Sequence, residues 1–198
     1  MVIGRLAYGI AVLLLLVRPV AAGIDEASRA YGRGEYMAAA AELTPLARAG
    51  NPRAQFLLGR MTFYGHALPQ DTAVAADWYR RAAEQGYAPA QLAFALALDN
   101  GWGVLQDRPG AVKWYRLAAL QGEEPAMWRL AYHYRRGGAV ARDLVLAWAW
   151  YDVLAVLGDG QAASERDWIS LLGIRDDEIT TARGVSIELQ RLISGDDR

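Results

Sequence analysis

The chain has 198 residues, with 21 basic side chains, 22 acidic side chains, a formal net charge of −1 and no cysteine. Its length suits one domain or one continuous array with a sizeable core. Because phosphate binding requires a concentrated basic surface, the near-zero charge and the lack of any basic run argue against a nucleic-acid-binding protein.

The N-terminus has the layout of a secretory signal peptide. Arg5 precedes an apolar run over residues 6–17, and Pro19 and small residues lead to Ala22. The run is well short of the roughly 20 residues that span a bilayer, so cleavage after Ala22 is expected rather than anchoring. Residues 1–22 are therefore predicted to be a signal peptide, and the mature chain to be periplasmic or secreted. Contact with a membrane is expected only through an uncleaved signal peptide.

Residues 23–50 are predicted to form a degenerate N-terminal capping repeat. Ala39, Leu43 and Ala47 have the spacing of the apolar positions in the later repeats, whereas Glu42 stands where those repeats have tryptophan. A polar residue at that position is typical of a terminal repeat, which needs a polar outer face.

Three units of equal length follow, over residues 51–86, 87–122 and 123–158. The stretch WYRRAAEQG at 78–86 returns as WYRLAALQG at 114–122. Apolar residues at i, i+3, i+4, i+7 and i+8 define one face of an α-helix in the second half of each unit. In the first unit this face comprises Ala75, Trp78, Tyr79, Ala82 and Ala83.

Each unit is predicted to be a helical hairpin. An aspartate before the second helix can accept hydrogen bonds from the free amides of its first turn, and a glycine after it suits a left-handed terminus. The first helix has a proline in its first turn, where a helix tolerates one, and ends at a glycine. These residues are Asp71, Asp107 and Asp143; Gly86, Gly122 and Gly158; Pro52, Pro89 and Pro125; and Gly65, Gly101 and Gly137.

Residues 159–198 are predicted to form a C-terminal helical cap. One helix over 159–172 would use Ala162, Trp168, Leu171 and Leu172 as its apolar residues. Asp176 would cap a last helix, whose apolar residues are Ile179, Ala182, Leu189 and Ile193.

The repeated pattern resembles the Sel1-like repeat, a slightly longer relative of the tetratricopeptide repeat. The first unit matches the family pattern throughout: Ala-x-x-x-Leu-Gly, then a Gly loop, then Ala-x-x-Trp-Tyr-x-x-Ala-Ala-x-x-Gly. The second unit has Phe94-Ala95 in place of Leu-Gly, and the third has Leu154 in place of the first alanine of Ala-Ala. The resemblance implies an all-α fold, a right-handed α-solenoid of stacked antiparallel helix pairs. The matching residues of the first unit are Ala54, Leu58, Gly59, Gly65, Ala75, Trp78, Tyr79, Ala82, Ala83 and Gly86.

No residue pattern indicates catalysis or a cofactor. His66 and His133 occupy different repeat positions and lack a partner at metal-ligand spacing. The serines have no nucleophile-elbow context. The acids at 176–178 are interpreted as a helix start, and DNGWGV at 99–104 has too few ligand oxygens for calcium. We predict no catalytic residue, no metal and no cofactor.

The candidate functional site is the concave face that stacked first helices create. Aromatic and arginine residues are common interface anchors, and long polar groups are poor core residues. Phe56, Leu92 and Trp128 fit this face and the inter-repeat core equally well. The predicted partner-binding residues are Arg53, Arg60, Phe63, Leu96, Tyr132 and Arg135.

Three functions compete. The first is an exported, non-enzymatic adaptor or regulator that binds a protein or peptide in the cell envelope; the resemblance supports it, because exported Sel1-like proteins include regulators of membrane-bound sensor kinases. The second is a scaffold subunit of a polysaccharide-secretion or cell-wall assembly. The third is weak β-lactam hydrolysis, which the resemblance makes distant because the cysteines of such relatives are absent.

Overall fold

The computed structural model describes residues 20–195, with side chains from residue 23, and these residues form α-helices and no strand. The predicted signal peptide lies outside the described residues, except that its last three residues open the first helix. The helices are α1 (Val20–Gly32), α2 (Tyr36–Arg48), α3 (Pro52–Tyr64), α4 (Thr72–Glu84), α5 (Ala88–Asn100), α6 (Arg108–Ala119), α7 (Glu124–Arg136), α8 (Leu144–Val156), α9 (Gly160–Leu171) and α10 (Asp176–Ser194).

The helices are stacked in chain order. Each helix from α1 to α8 packs against the next one, and α8 also contacts α10. The fold is therefore the predicted all-α solenoid of helix pairs, in which α3, α5 and α7 are the first helices of three successive pairs. Across the described residues, none of the helices has the length and apolar character needed to span a membrane.

The predicted aspartate caps of the second helices are confirmed. The carboxylate of Asp71 accepts hydrogen bonds from two backbone amides at 2.9 and 3.0 Å. Those of Asp107 and Asp143 each accept one at 2.9 Å. These bonds satisfy amides that the helix itself leaves free, and they fix where each second helix begins.

The repeated apolar face forms the core, but its two aromatic residues are buried unequally. Tyr79, Tyr115 and Tyr151 are all buried, whereas Trp78 and Trp114 are half-buried. Burial raises the pKa of Tyr79 well above its ordinary value. The tyrosine is therefore a central core residue in each unit, whereas the tryptophan is half-buried in the first two units and buried, as Trp150, in the third.

Glutamine side chains join neighbouring units, a feature that the sequence analysis missed. Gln85 donates to Gln55 at 2.8 Å, and Gln121 donates to Gln91 at 2.8 Å. The amide groups of Gln55 and Gln91 also donate to backbone carbonyls of the preceding second helix, at 3.1 and 3.4 Å. These bonds satisfy polar groups that stacking buries. The third unit has Met127 at the equivalent position.

The C-terminal cap differs from its prediction in two respects. In α9 the buried residues are Ala162 and Ile169, while Leu171 is 84 % exposed; the predicted Trp168 and Leu172 are also exposed. Ala162 and Ile169 lie two turns apart and share a face, from which the leucines at the helix end point away. In addition, Asp176 is the first residue of α10 and not its cap. The cap position is Arg175, whose backbone amide donates a hydrogen bond to the carboxylate of Glu178 at 2.9 Å.

Candidate functional site

A concave surface lies between the first helices α3 and α5. It forms an apolar groove of about 230 Å³, and α4 and the loop after α5 complete its walls. Three predicted site residues, Arg60, Phe63 and Leu96, come together here. We call this surface the apolar groove; its lining includes Phe56, Arg60, Phe63, Tyr64, Leu92, Leu96 and Trp102.

A Gly-Trp-Gly loop positions one wall of the apolar groove. Gly101 ends α5 in the left-handed conformation, and Gly103 follows with φ 71°. An added Cβ at Gly103 would lie 2.1 Å from the carbonyl oxygen of Thr72, so the loop backbone lies directly on the start of α4. This close approach holds the Trp102 ring 5.5 Å from the Phe63 ring, measured between centroids.

Arg60 supplies the positive charge of the apolar groove. Its guanidinium lies 5.2 Å from the ring centroid of Tyr31 and 5.8 Å from that of Phe56. Burial raises the pKa of Tyr31, and the charge of Arg60 opposes that rise. Arg60 forms no ion pair with any carboxylate of residues 23–195, so stacking on aromatic rings holds the side chain while its charge stays uncompensated.

Tyr132 lies in a second concavity, between α5 and α7. We call it the arginine pocket; it encloses about 540 Å³, and its lining includes Asp99, Asn100, Gln106, Arg108, Arg129, Tyr132, His133 and Arg136. The predicted site residues therefore do not line one continuous groove of uniform chemistry. An apolar concavity is followed by a polar one.

Two predicted site residues are held by ion pairs within the chain. Arg53 bonds to Asp25 of α1 at 2.7 Å, and Arg135 bonds to Glu165 of α9 at 2.6 Å. The guanidinium of Arg135 also lies 5.4 Å from the ring centroid of Trp168. Both of these partners of Arg135 come from α9, so the side chain joins α7 to α9.

Of the three residues that fitted two roles, two have both. Phe56 and Leu92 are half-buried; they line the apolar groove and also pack against the core. Trp128 belongs to the interface between α7, α8 and α9: its ring centroid lies 5.1 Å from that of Tyr151, and its indole donates to Asp159 at 2.7 Å.

A buried polar cluster forms the floor of the arginine pocket. His133 Nε2 lies 3.2 Å from Oδ2 of Asp99, and the hydroxyl of Tyr115 donates to the same oxygen at 3.3 Å. Burial, and secondly the charge of Asp99, raise the pKa of Tyr115 well above its ordinary value, so its hydroxyl keeps the proton that it donates. In the described part of the chain, no group of three histidine, cysteine, aspartate or glutamate residues could hold a metal ion.

Three consecutive segments, residues 52–87, 88–123 and 124–159, match the profile of the Sel1 repeat. These segments cover more than half of the chain and coincide with the helix pairs α3–α4, α5–α6 and α7–α8. The chain belongs to the Sel1 repeat family. Sel1 repeat proteins generally mediate protein–protein interaction and are typically non-catalytic.

Two solved structures are similar to this Sel1 repeat chain. One is the protective antigen c5321 from uropathogenic Escherichia coli, which displays an SLR fold; it is 29 % identical with a TM-score of 0.71, over 81 % of this chain and 34 % of that one. The other is a Sel1 repeat protein from Oxalobacter formigenes, 31 % identical with a TM-score of 0.67, over 75 % of this chain and 59 % of that one. The chain thus spans about a third and about three fifths of their lengths. No curated protein sequence matches it.

Sequence reasoning missed two aromatic residues of the Sel1 chain's apolar groove. The predicted helix end at Gly101 and cap at Asp107 place Trp102 in the loop between two helices, but they do not predict that it lines the groove. Tyr64, which is 56 % exposed, is the last residue of α3 and also lines the groove. A large aromatic residue between two glycines was a detectable signal. An exposed tryptophan in such a loop contributes little to stability unless its ring packs against other residues.

Proposed function

We propose that this Sel1 repeat chain is an exported, non-enzymatic adaptor or regulator that binds a protein of the cell envelope through the apolar groove. Export is supported by the signal-peptide layout of residues 1–22. Binding is supported by the groove itself, where aromatic rings surround a concave apolar surface together with Arg60, which has no carboxylate partner among residues 23–195.

The chemistry of the groove indicates what it binds. Aromatic and arginine side chains in a concave surface are typical anchors of protein interfaces, because they contribute large contact areas with few rotatable bonds. The apolar lining favours an aliphatic or aromatic side chain of the partner. Arg60, at the rim, favours a partner carboxylate nearby, since a charge-assisted bond would compensate its charge.

Site-specific photocrosslinking in cells tests this proposal. A photoreactive phenylalanine analogue replaces Tyr64 at the groove, and in a matched control it replaces Leu117, which is 47 % exposed on α6 and lines neither concavity. We expect an envelope protein to crosslink at position 64 only, and the product to disappear when Arg60→Glu is added. Equal crosslinking at both positions would contradict the groove as the binding surface.

Fractionation of the same cells tests export. N-terminal sequencing should find that the chain begins at Gly23 and is recovered from the periplasmic or secreted fraction. Material that begins at Met1 and remains in the cytosol would contradict the envelope location, while leaving the groove assignment to the crosslinking result.

A further inference from the structure

The arginine pocket is the direct continuation of the apolar groove. Leu96 lines the groove, and Asp99, less than one turn later on α5, lines the pocket. Because one helix contributes to both linings, a single extended segment that crosses the first helices would meet the groove and then the pocket.

The lining of the arginine pocket is cationic. Arg108, Arg129 and Arg136 line it, and among the described residues Asp99 is its one carboxylate. Asp99 is only 9 % exposed; it accepts the hydrogen bond from Tyr115 and lies 3.7 Å from Arg108. The carboxylate of Asp99 is therefore already bound within the floor of the pocket. It does not compensate the charges of Arg129 and Arg136.

Two arginines of the pocket, Arg129 and Arg136, have no carboxylate partner among residues 23–195. Within residues 23–195, Arg129 forms no ion pair, and Arg136 donates to the hydroxyl of Tyr132 but has no carboxylate partner. Elsewhere the chain pairs many of its arginines with acids; those in ion pairs include Arg29, Arg33, Arg53, Arg80, Arg81, Arg135, Arg166 and Arg175.

We propose that the arginine pocket binds acidic side chains of the same protein segment whose apolar residue occupies the apolar groove. This inference rests on the proposed function and adds the chemical class of the partner sequence. Guanidinium groups bind carboxylates through paired hydrogen bonds, so unpaired arginines around a pocket of about 540 Å³ form a site for such groups.

The placement of the arginines favours several carboxylates over one compact phosphate. Arg129 and Arg136 are seven residues apart on α7, which corresponds to two turns and about 10 Å along the helix. Arg108 comes from the first position of α6. Charges spread along a pocket match acidic side chains spaced along a peptide, whereas a single phosphate needs donors that converge on one point.

The spacing of the two sites sets the spacing of the partner residues. Leu96 of the groove and Asp99 of the pocket are three residues apart on α5, which separates their Cβ atoms by about 5–6 Å. An extended chain advances about 3.3 Å per residue, and every second side chain lies on the same face. An apolar residue in the groove would therefore have an acidic residue two positions away, and a second acid two positions beyond it, on the same face of the segment.

Synthetic peptides test this inference by isothermal titration calorimetry against the mature chain. The test peptide carries phenylalanine with aspartates two and four positions away on both sides, so that either chain direction can place two of them in the pocket, in a background of serine and glycine. A second peptide replaces the four aspartates with asparagine, and a third replaces phenylalanine with serine. We expect the aspartate peptide to bind about tenfold or more tightly than the asparagine peptide, and the difference to shrink with added salt.

Charge-neutralising variants locate the effect. Arg129→Gln with Arg136→Gln should weaken binding of the aspartate peptide about tenfold and leave binding of the asparagine peptide unchanged. The matched control is Arg48→Gln with Arg183→Gln, which removes the same charge from exposed positions outside both sites. Thermal unfolding followed by circular dichroism should show unchanged stability for both pairs, because none of these arginines forms an ion pair in the described residues.

The outcomes separate this inference from the proposed function. Equal affinity for the aspartate and asparagine peptides, or equal loss in both pairs of variants, would overturn the acidic-residue site while leaving the groove in place. Arginine-dependent binding of the peptide without phenylalanine, with no gain from phenylalanine, would support the pocket and count against the groove. A phosphoserine peptide that binds more than about tenfold tighter than the aspartate peptide would reassign the pocket to phosphate.

Discussion

Substitution of alanine for Gly103 should separate two effects that a glycine position combines. The residue has φ 71°, which costs a side-chain-bearing residue about 1–2 kcal/mol. An added Cβ would also lie 2.1 Å from the carbonyl oxygen and 2.2 Å from the carbonyl carbon of Thr72. Both atoms belong to backbone at the start of α4, so they cannot move aside as a flexible side chain could.

Gly101→Ala isolates the conformational cost. Gly101 has φ 74°, and the nearest atom to an added Cβ there is Cβ of Gln106 at 3.5 Å, an ordinary contact. Its replacement should cost only about 1–2 kcal/mol. Gly103→Ala adds an overpacking penalty of about 1–3 kcal/mol, because the loop must lift from α4. We therefore expect a total loss of about 2–5 kcal/mol for this variant.

Urea unfolding followed by circular dichroism measures the difference. With an m-value of about 2 kcal/mol per molar, the midpoint should fall by about 0.5–1 M for Gly101→Ala and by about 1–2.5 M for Gly103→Ala. The second variant should also lose partner crosslinking at Tyr64, because Trp102 leaves its contact with Phe63. Equal midpoints for the two variants would refute the argument that the loop rests on the α4 backbone.

Two further variants test the core and the C-terminal cap. Trp114→Ala should lower the free energy of unfolding by about 3 kcal/mol, since the ring packs between two parts of the core and lies 5.6 Å from that of Phe94. Trp102 is 43 % exposed, so Trp102→Ala should lower it by only about 0.5 kcal/mol while weakening partner binding. Similar urea midpoints for the two variants would show that Trp114 is not a core residue. Hydrogen bonds from the backbone amide of Ala162 and from the indole of Trp128 lower the pKa of Asp159. The contribution of this carboxylate to stability is therefore complete above its ordinary pKa of 3.8 and disappears as pH falls through the lower folded-state pKa. Asp159→Asn should lose less stability than the wild type between about pH 5 and pH 2, and parallel pH profiles would contradict this assignment.

The fold could be predicted because its determinants repeat along the chain. The aspartate caps and the apolar face recur in each unit, and each requires only local geometry or the packing of one helix against the next. The last helix lacked this support. The acids at 176–178 favour a helix start and predict Asp176 as its cap, but it is Glu178 that accepts a hydrogen bond from the backbone amide of Arg175, as a third-position glutamate does in a capping box.

The site was predicted only in part because it depends on neighbours outside the repeat. Phe63 and Arg135 occupy the same position in different units, yet Phe63 faces Trp102 while Arg135 faces Glu165. The first partner comes from the loop of the next unit and the second from the C-terminal cap. No property of the repeat position itself indicates which neighbour will approach it, so the same repeat position has different surroundings in the two units.

Two kinds of position thus follow different rules in this solenoid. Tyr79 and Tyr115 stay the same because each must fill the same space between helices, and a change in volume there destabilises the stack. The concave positions carry no such constraint: Arg60 of α3 is replaced by Leu96 of α5 and by Tyr132 of α7. Their chemistry can therefore change from one unit to the next at little cost in stability, which is how a uniform scaffold comes to present an apolar groove beside a cationic pocket. A partner recognised by both would have to carry an apolar residue beside acidic residues along its chain, so the order of the units restricts the sequences that the surface can bind.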